Sequence, residues 1–263
     1  MVCVITGASS GIGKQLAREL SAKGVRLAIA ARSEDKLQAL SRELPGETLV
    51  VPTDVSEEGP CIELIERTRE HFSRIDTLVA NAGYGISKRV TRTSRQEMQD
   101  IWTTNVLGCF DTAKAAAENM KQQGERDGYR GQILFVTSAV ARRGLPLFGP
   151  YAATKAAQLS LVEAMRVELA DAKIAVSSVH PVGTDTSFFD VAEQRGDVKV
   201  QGRSSRGPQQ SPQAVARAMV RCIERPRPEC WPFFGSRTAL LLAAMFPRLV
   251  DAGCRRALRE LEA

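Results

Sequence analysis

Six short apolar runs punctuate the first 180 residues, and helical patterning fills the stretches between them. The runs cover residues 2–6, 26–31, 48–52, 77–80, 132–137 and 175–179. Helical patterns follow the first five, at 14–23, 34–44, 58–72, about 94–123 and about 149–170. Strands this short and this apolar bury both faces. With short connections and a helix after each strand, they form a parallel sheet with helices on both sides. Right-handed crossovers make such a sheet doubly wound. The predicted fold class is therefore α/β, with one doubly wound parallel sheet flanked by helices. No repeat or Pro/Gly linker splits the chain, so residues 1–235 are expected to form one domain and 236–263 a C-terminal helical extension of it.

The length of 263 residues and an apolar fraction of 43% suit a single α/β domain with a sizeable core. No apolar run reaches the ~20 residues that a membrane-crossing helix needs. The opening residues read as a strand, not as a signal peptide. Cysteines stand at 3, 61, 109, 222, 230 and 254 with no C-x-x-C pair, and there are two histidines. Reduced cytoplasmic thiols are expected, and no metal site. The net charge of +6 comes mostly from beyond residue 188. No aromatic–basic interleaving accompanies it, which argues against a nucleic-acid partner.

Chemistry enters first at the loop Thr6-Gly7-Ala8-Ser9-Ser10-Gly11-Ile12-Gly13, between the first strand and the first helix. Gly7, Gly11 and Gly13 let the backbone approach a pyrophosphate, and the helix N-terminus presents free N–H groups to it. At the end of the second strand an acid would bind a ribose 2′-hydroxyl, whereas an Arg accommodates a 2′-phosphate. The chain has Arg32 and Ser33 there and no acid, so NADP(H) is expected over NAD(H).

The second constellation is Tyr151-Ala152-Ala153-Thr154-Lys155, with Ser138 upstream at the end of an apolar run. Positions i and i+4 share a helix face, so phenol and ammonium point into one pocket. A nearby cation favours the phenolate and tunes the phenol for proton transfer.

Taken with Asp54-Val55, Asn81-Ala82-Gly83 and Asn105, these motifs closely resemble the short-chain dehydrogenase/reductase family over residues 1–190. The resemblance implies a Rossmann-like domain that binds NAD(P) and transfers hydride at a carbonyl or alcohol carbon. It implies that Ser9, Ser10 and Ile12 join the glycines around the cofactor. Asp54 and Val55 would meet the adenine, and Asn81, Ala82 and Gly83 would line its ribose. Tyr151 would be the general acid or base. Lys155 would lower the phenol's pKa and hold the nicotinamide ribose, and Ser138 would bind the substrate oxygen. Asn105 would hold a water linking Lys155 to solvent. The resemblance departs at Pro181-Val182-Gly183-Thr184, where Val182 takes the family's usual glycine position. Pro181 and the backbone near Thr184 would still meet the nicotinamide, and Thr186 a phosphate.

The expected activity is NADPH-dependent reduction of a small-molecule ketone or aldehyde, or the reverse oxidation. A silent nucleotide sensor or scaffold and an NAD-dependent alcohol dehydrogenase are the alternatives. Substrate choice is expected at 84–90, at 139–148, where Arg142 and Arg143 could meet an anion, and in a lid at 186–211. Family habit implies a homodimer or homotetramer through helices near 94–120 and 151–170. At the C-terminus the apolar run 239–246, Pro247 and an Arg-rich final helix suggest peripheral membrane contact and a lipid-like substrate.

Overall fold

A computed structural model describes residues 1–199 and 209–262. The six apolar runs form β1 (Val2–Thr6), β2 (Arg26–Ala31), β3 (Thr48–Pro52), β4 (Thr77–Ala80), β5 (Gly131–Val136) and β6 (Ile174–Val179). The helices between them are α1 (Gly11–Ser21), α2 (Glu34–Glu43), α3 (Glu58–Phe72), α4 (Arg95–Trp102), α5 (Gly108–Lys121) and α6 (Gly149–Glu168). A π turn over Thr103–Leu107 joins α4 to α5.

All strands of the main sheet are parallel; with Glu229–Cys230 as β9, the order is β3-β2-β1-β4-β5-β6-β9. The seventh strand, β9 (Glu229–Cys230), escapes the sequence reading because two residues carry no periodicity. It pairs Ser178 with Glu229 and Val179 with Cys230. Strand order reverses at β1, which lies between β2 and β4. A doubly wound sheet opens its ligand crevice at such a switch point, beyond the carboxyl ends of the strands.

Alternation along each strand divides the core in two. Cys3, Ile5, Leu27 and Ile29 pack with Leu16, Leu20, Leu37 and Leu40 of α1 and α2. Val215 and Met219 of α8 (Pro212–Glu224) close that side. Val2, Val4, Leu78 and Phe135 pack on the other side with Leu64, Ala113, Met120 and Val162. Each Leu, Ile or Phe buried this way contributes about 1.5–3 kcal/mol, so the sheet is a rigid base for the groups at its edge.

The expected lid segment contains α7 (Phe188–Gln194) and β8 (Gln209–Gln210), and β7 (Gly183–Thr184) stands just before it. β7 and β8 pair in parallel, tying the chain that enters the segment to its far end. Its residues 200–208 lie outside the described residues. At the C-terminus, α9 (Ser236–Met245) leads into α10 (Pro247–Glu262). Pro247 opens α10, where its missing N–H has no helical partner to lose. Among the described residues no helix is long and apolar enough to cross a membrane.

Candidate active site

At the end of β1 the backbone turns through Gly7 and Gly11, with φ of +66° and +54°. L side chains are strained there, so these positions favour glycine. Gly13 is needed for a different reason. A Cβ on it would stand 2.5 Å from the Gly7 carbonyl oxygen and 2.7 Å from Asn81 Nδ2. Asn81 staples the ends of β1 and β4. Its Nδ2 donates to the carbonyls of Thr6 (2.9 Å) and Gly7 (3.3 Å). Thr6 Oγ1 in turn accepts from the backbone N–H groups of Asn81 (3.0 Å) and Ala82 (3.1 Å).

The start of α1 is built for an anion. Its N-cap, Ser10, makes no side-chain capping bond, and the first turn holds no acidic residue. The first-turn N–H groups and the positive end of the dipole are thus left to a phosphate. Thr186 lies over this turn, with its methyl 3.3 Å from where a Gly11 Cβ would stand.

A crevice of about 700 Å³ runs from this loop along the sheet edge. Its walls include Gly7, Ser9, Ser10, Gly11 and Ile12 from the loop, and Arg32 with Ser33 after β2. Asp54 and Val55 follow β3, and Asn81, Ala82 and Gly83 follow β4. Pro181, Thr184 and Thr186 close it from the β6 side. Burial pushes the Asp54 carboxyl up, but hydrogen bonds from Ser56 and the charge of Arg32 outweigh it, and the pKa falls below the usual carboxylate value. The dinucleotide implied by this loop fits the residues present: glycines where a Cβ would intrude, an uncapped helix N-terminus, and a cation at the ribose end.

Ser138, Tyr151 and Lys155 meet in the same crevice. Ser138 caps the 3-10 turn Ala139–Ala141, its Oγ accepting from Val140 N–H at 3.3 Å. Lys155 Nζ lies 5.6 Å from the centroid of the Tyr151 ring. It donates to the Val136 carbonyl at 2.8 Å and to Gln158 Oε1 at 3.0 Å. The electrostatics differ from the sequence expectation. Burial raises the Tyr151 pKa, opposed by a hydrogen bond with Ser138 and not by the ammonium. Burial also pushes Lys155 down to about 8. Desolvation disfavours both charged forms, and the amine is turned toward a carbonyl and an amide.

Two expected residues lie behind the crevice wall. Gly13 is packed against the loop, as described. Asn105 is fully buried in the π turn, and its side chain is used up locally. Oδ1 accepts from Tyr84 N–H at 3.0 Å, and Nδ2 donates to the Tyr84 carbonyl (2.9 Å) and Thr154 Oγ1 (3.0 Å). Its main-chain carbonyl accepts from Gln158 Nε2. Val182 needs no special backbone, since neither it nor Gly183 has a positive φ.

Beyond Tyr151 the walls turn apolar, with Phe148, Phe188, Phe189 and Val191. Phe188 packs 4.9 Å from the Tyr151 ring, centroid to centroid. Leu240 and Ala243 of α9 and Val250 of α10 complete the wall. The run 239–246 is visibly apolar in the sequence, but its contact with the site is not. Arg142 is paired with Glu163 (3.2 Å) and Glu229 (2.6 Å). Arg143 lines the crevice and pairs with Asp251 of α10.

The short chain dehydrogenase family model matches residues 1–196. An uncharacterized oxidoreductase of Bacillus subtilis, YxnA, is 31% identical over 255 residues, covering 95% of this chain and 70% of the relative. The alcohol dehydrogenase of the archaeon Thermococcus sibiricus, solved with 5-hydroxy-NADP, superposes with a TM-score of 0.74 at 33% identity, over 88% of this chain and 94% of that one. The 3-ketoacyl-(acyl-carrier-protein) reductase of Brucella melitensis, solved with NADH, gives 0.77 at 28% identity, over 84% and 90%. With the glycine loop at the switch point and Ser138, Tyr151 and Lys155 in one crevice, the chain belongs to the short-chain dehydrogenase/reductase family.

Proposed function

We propose that the protein is an NADP(H)-dependent oxidoreductase that reduces a ketone or aldehyde to an alcohol, or runs the reverse, with Tyr151 as general acid and base. The observation that carries this reading is that Tyr151, Ser138 and Lys155 line one crevice, with the phenol where the nucleotide path meets an apolar wall. When bound, the dinucleotide supplies or accepts the hydride. Tyr151, like any phenol with a pKa of about 10 or above, holds its proton at neutral pH and so has one to donate to a developing alkoxide. Ser138 donates a hydrogen bond to the same oxygen, which stabilises charge that forms there. Lys155, at about 8, still carries charge at neutral pH, which suits it to hold a ribose hydroxyl. The structural relatives bind both NADP-type and NAD-type cofactors, so the preference for NADP(H) rests on Arg32. The Phe148, Phe188 and Leu240 wall favours a substrate with a lipid-like apolar body.

Tyr151→Phe keeps the ring and removes the acid. Turnover should fall by about 10²–10⁴-fold, while NADPH binding stays within about twofold. Near-wild-type turnover in this variant would refute the assignment. A wild-type protein that binds NADPH but consumes none across a panel of ketones and aldehydes would be the silent sensor.

We also propose peripheral contact with an anionic membrane surface. Leu241, Met245 and Leu249 are 61%, 70% and 71% exposed on the two C-terminal helices, in the same segment as Arg237, Arg248 and Arg255. Flotation with phosphatidylserine liposomes should carry the full chain and fail after Leu241→Asp/Met245→Asp; flotation of both or neither ends the idea. Self-association through α4–α5 is supported by exposed Trp102, Leu107 and Phe110.

A further inference from the structure

Gln158 lies one turn beyond Lys155 on α6, with no exposed surface. All of its side-chain polar atoms are engaged. Oε1 accepts from Lys155 Nζ at 3.0 Å. Nε2 donates to the main-chain carbonyl of Asn105 and approaches Cys109 Sγ at 3.0 Å. The amide therefore stands between the ammonium and the π turn, on the line where a water on Asn105 was expected.

We propose that Gln158 is the positioning residue of Lys155: its carboxamide replaces a relay water, fixes the direction of the ammonium and favours its charged form. The proposal deepens the proposed acid–base chemistry and rests on it. Its chemistry is simple. A carbonyl oxygen accepts more strongly from an ammonium than from the N–H of a neutral amine, so the contact favours the protonated lysine. The titratable groups near Lys155 among the described residues are few. Tyr151 lies on its own helix and Cys109 on α5. β5 contributes only the Val136 carbonyl. With so little charge around, one acceptor carries weight. A carboxamide also passes no proton as a water does, so protons reach Tyr151 from the crevice and not through the interior.

Three variants of the full-length protein separate this role from packing. Gln158→Ala opens room for a water, with the Lys155 ammonium and the Asn105 carbonyl as partners. Gln158→Leu and Gln158→Met fill the space and supply no acceptor. Packing alone ranks Leu and Met above Ala, because a cavity costs stability. Positioning ranks Ala above both.

The first readout is NADPH affinity from pH 6 to 10, followed by protein fluorescence, with Lys155→Met identifying the step that belongs to the lysine. The midpoint should stay in place in Gln158→Ala and move down by about one pH unit in Gln158→Leu and Gln158→Met, the equivalent of one hydrogen bond to a charged group. The second readout is NADPH-driven reduction of 4-nitrobenzaldehyde. At pH 8, kcat should fall about fivefold in the Leu and Met variants, as the charged fraction of a lysine at about 8 drops from about one half to about one tenth, and less than about twofold in Ala. Equal midpoints in all variants, or Leu performing better than Ala, overturns the proposal. So does a Lys155→Met protein whose pH dependence matches wild type. The binding arm answers even where no aldehyde is turned over, whereas Tyr151→Phe tests the acid–base reading separately.

Discussion

Gly13→Ala puts two opposing effects in direct competition. Gly13 lies in the first turn of α1 with no positive φ, so alanine gains up to about 0.8–1 kcal/mol of helix propensity. Against this, the new Cβ would stand 2.5 Å from the Gly7 carbonyl oxygen and 2.7 Å from Asn81 Nδ2. Neither neighbour yields cheaply. One is backbone held in a left-handed turn, and the other is the amide that staples β1 to β4. Overpacking of this kind costs about 1–3 kcal/mol, and a displaced Asn81 amide forfeits about 1 kcal/mol for each buried hydrogen bond. The net expectation is a loss of about 2–3 kcal/mol, which for a chain of this size lowers Tm by about 5–10 °C. NADPH affinity should fall at least about tenfold, since the displaced Gly7 carbonyl belongs to the loop that receives the pyrophosphate. Gly59→Ala is the matched control. It lies in the first turn of α3, also without a positive φ, and nothing stands within 4 Å of its Cβ position. It should raise stability by about 0.5 kcal/mol. Thermal melts and fluorescence titration read both. A Gly13→Ala protein that melts at or above wild type and binds NADPH normally would refute the steric reasoning.

Two further outcomes are expected. Arg32→Ala should weaken NADPH by about 10–100-fold, the loss of charge-assisted hydrogen bonds to a phosphate, and leave NADH within about twofold. Equal losses for the two cofactors in calorimetric titrations would remove Arg32 from its role. His180 should make the fold acid-sensitive. It is buried, stacks on Trp231 at 4.1 Å and bonds Ser178 Oγ at 2.9 Å. Burial pushes its pKa down to about 4, with Glu229 and the Ser138 carbonyl opposing and Arg142 and Arg166 adding to it. The unfolded imidazole, near 6.5, takes its proton first as pH falls. Stability is therefore lost between about pH 6.5 and pH 4, by about 3 kcal/mol. Urea denaturation across that window should be steeper in pH for wild type than for His180→Gln, and identical slopes would sink the argument.

Much of the fold was legible because its signals are local. Strands of four to six apolar residues and helices such as α3 declare their period within a single window. β9 did not, because two residues have no period and pair only after 50 intervening residues bring Glu229 beside Ser178. The cofactor loop was legible through its glycines, and the structure shows that they act differently: Gly7 and Gly11 by backbone angle, Gly13 by close approach. That Arg32 lines the crevice was legible from its place at a strand end. Gln158 was not, since a glutamine on a helix face is ordinarily solvated. Its burial follows from the way α6 packs on the π turn.

By itself, the order of residues determined the alternating elements, the phosphate-ready loop after β1 and the placement of Tyr151 and Lys155 on one helix face. Each of these depends on separations of a few residues, which backbone geometry converts directly into position. Only the tertiary structure decided where the lysine's amine points, that burial raises the Tyr151 pKa against the expected pull of that amine, and that α9 and α10 wall the apolar end of the crevice. Those outcomes depend on desolvation and on contacts between elements tens of residues apart, and neither leaves a periodic trace along the chain.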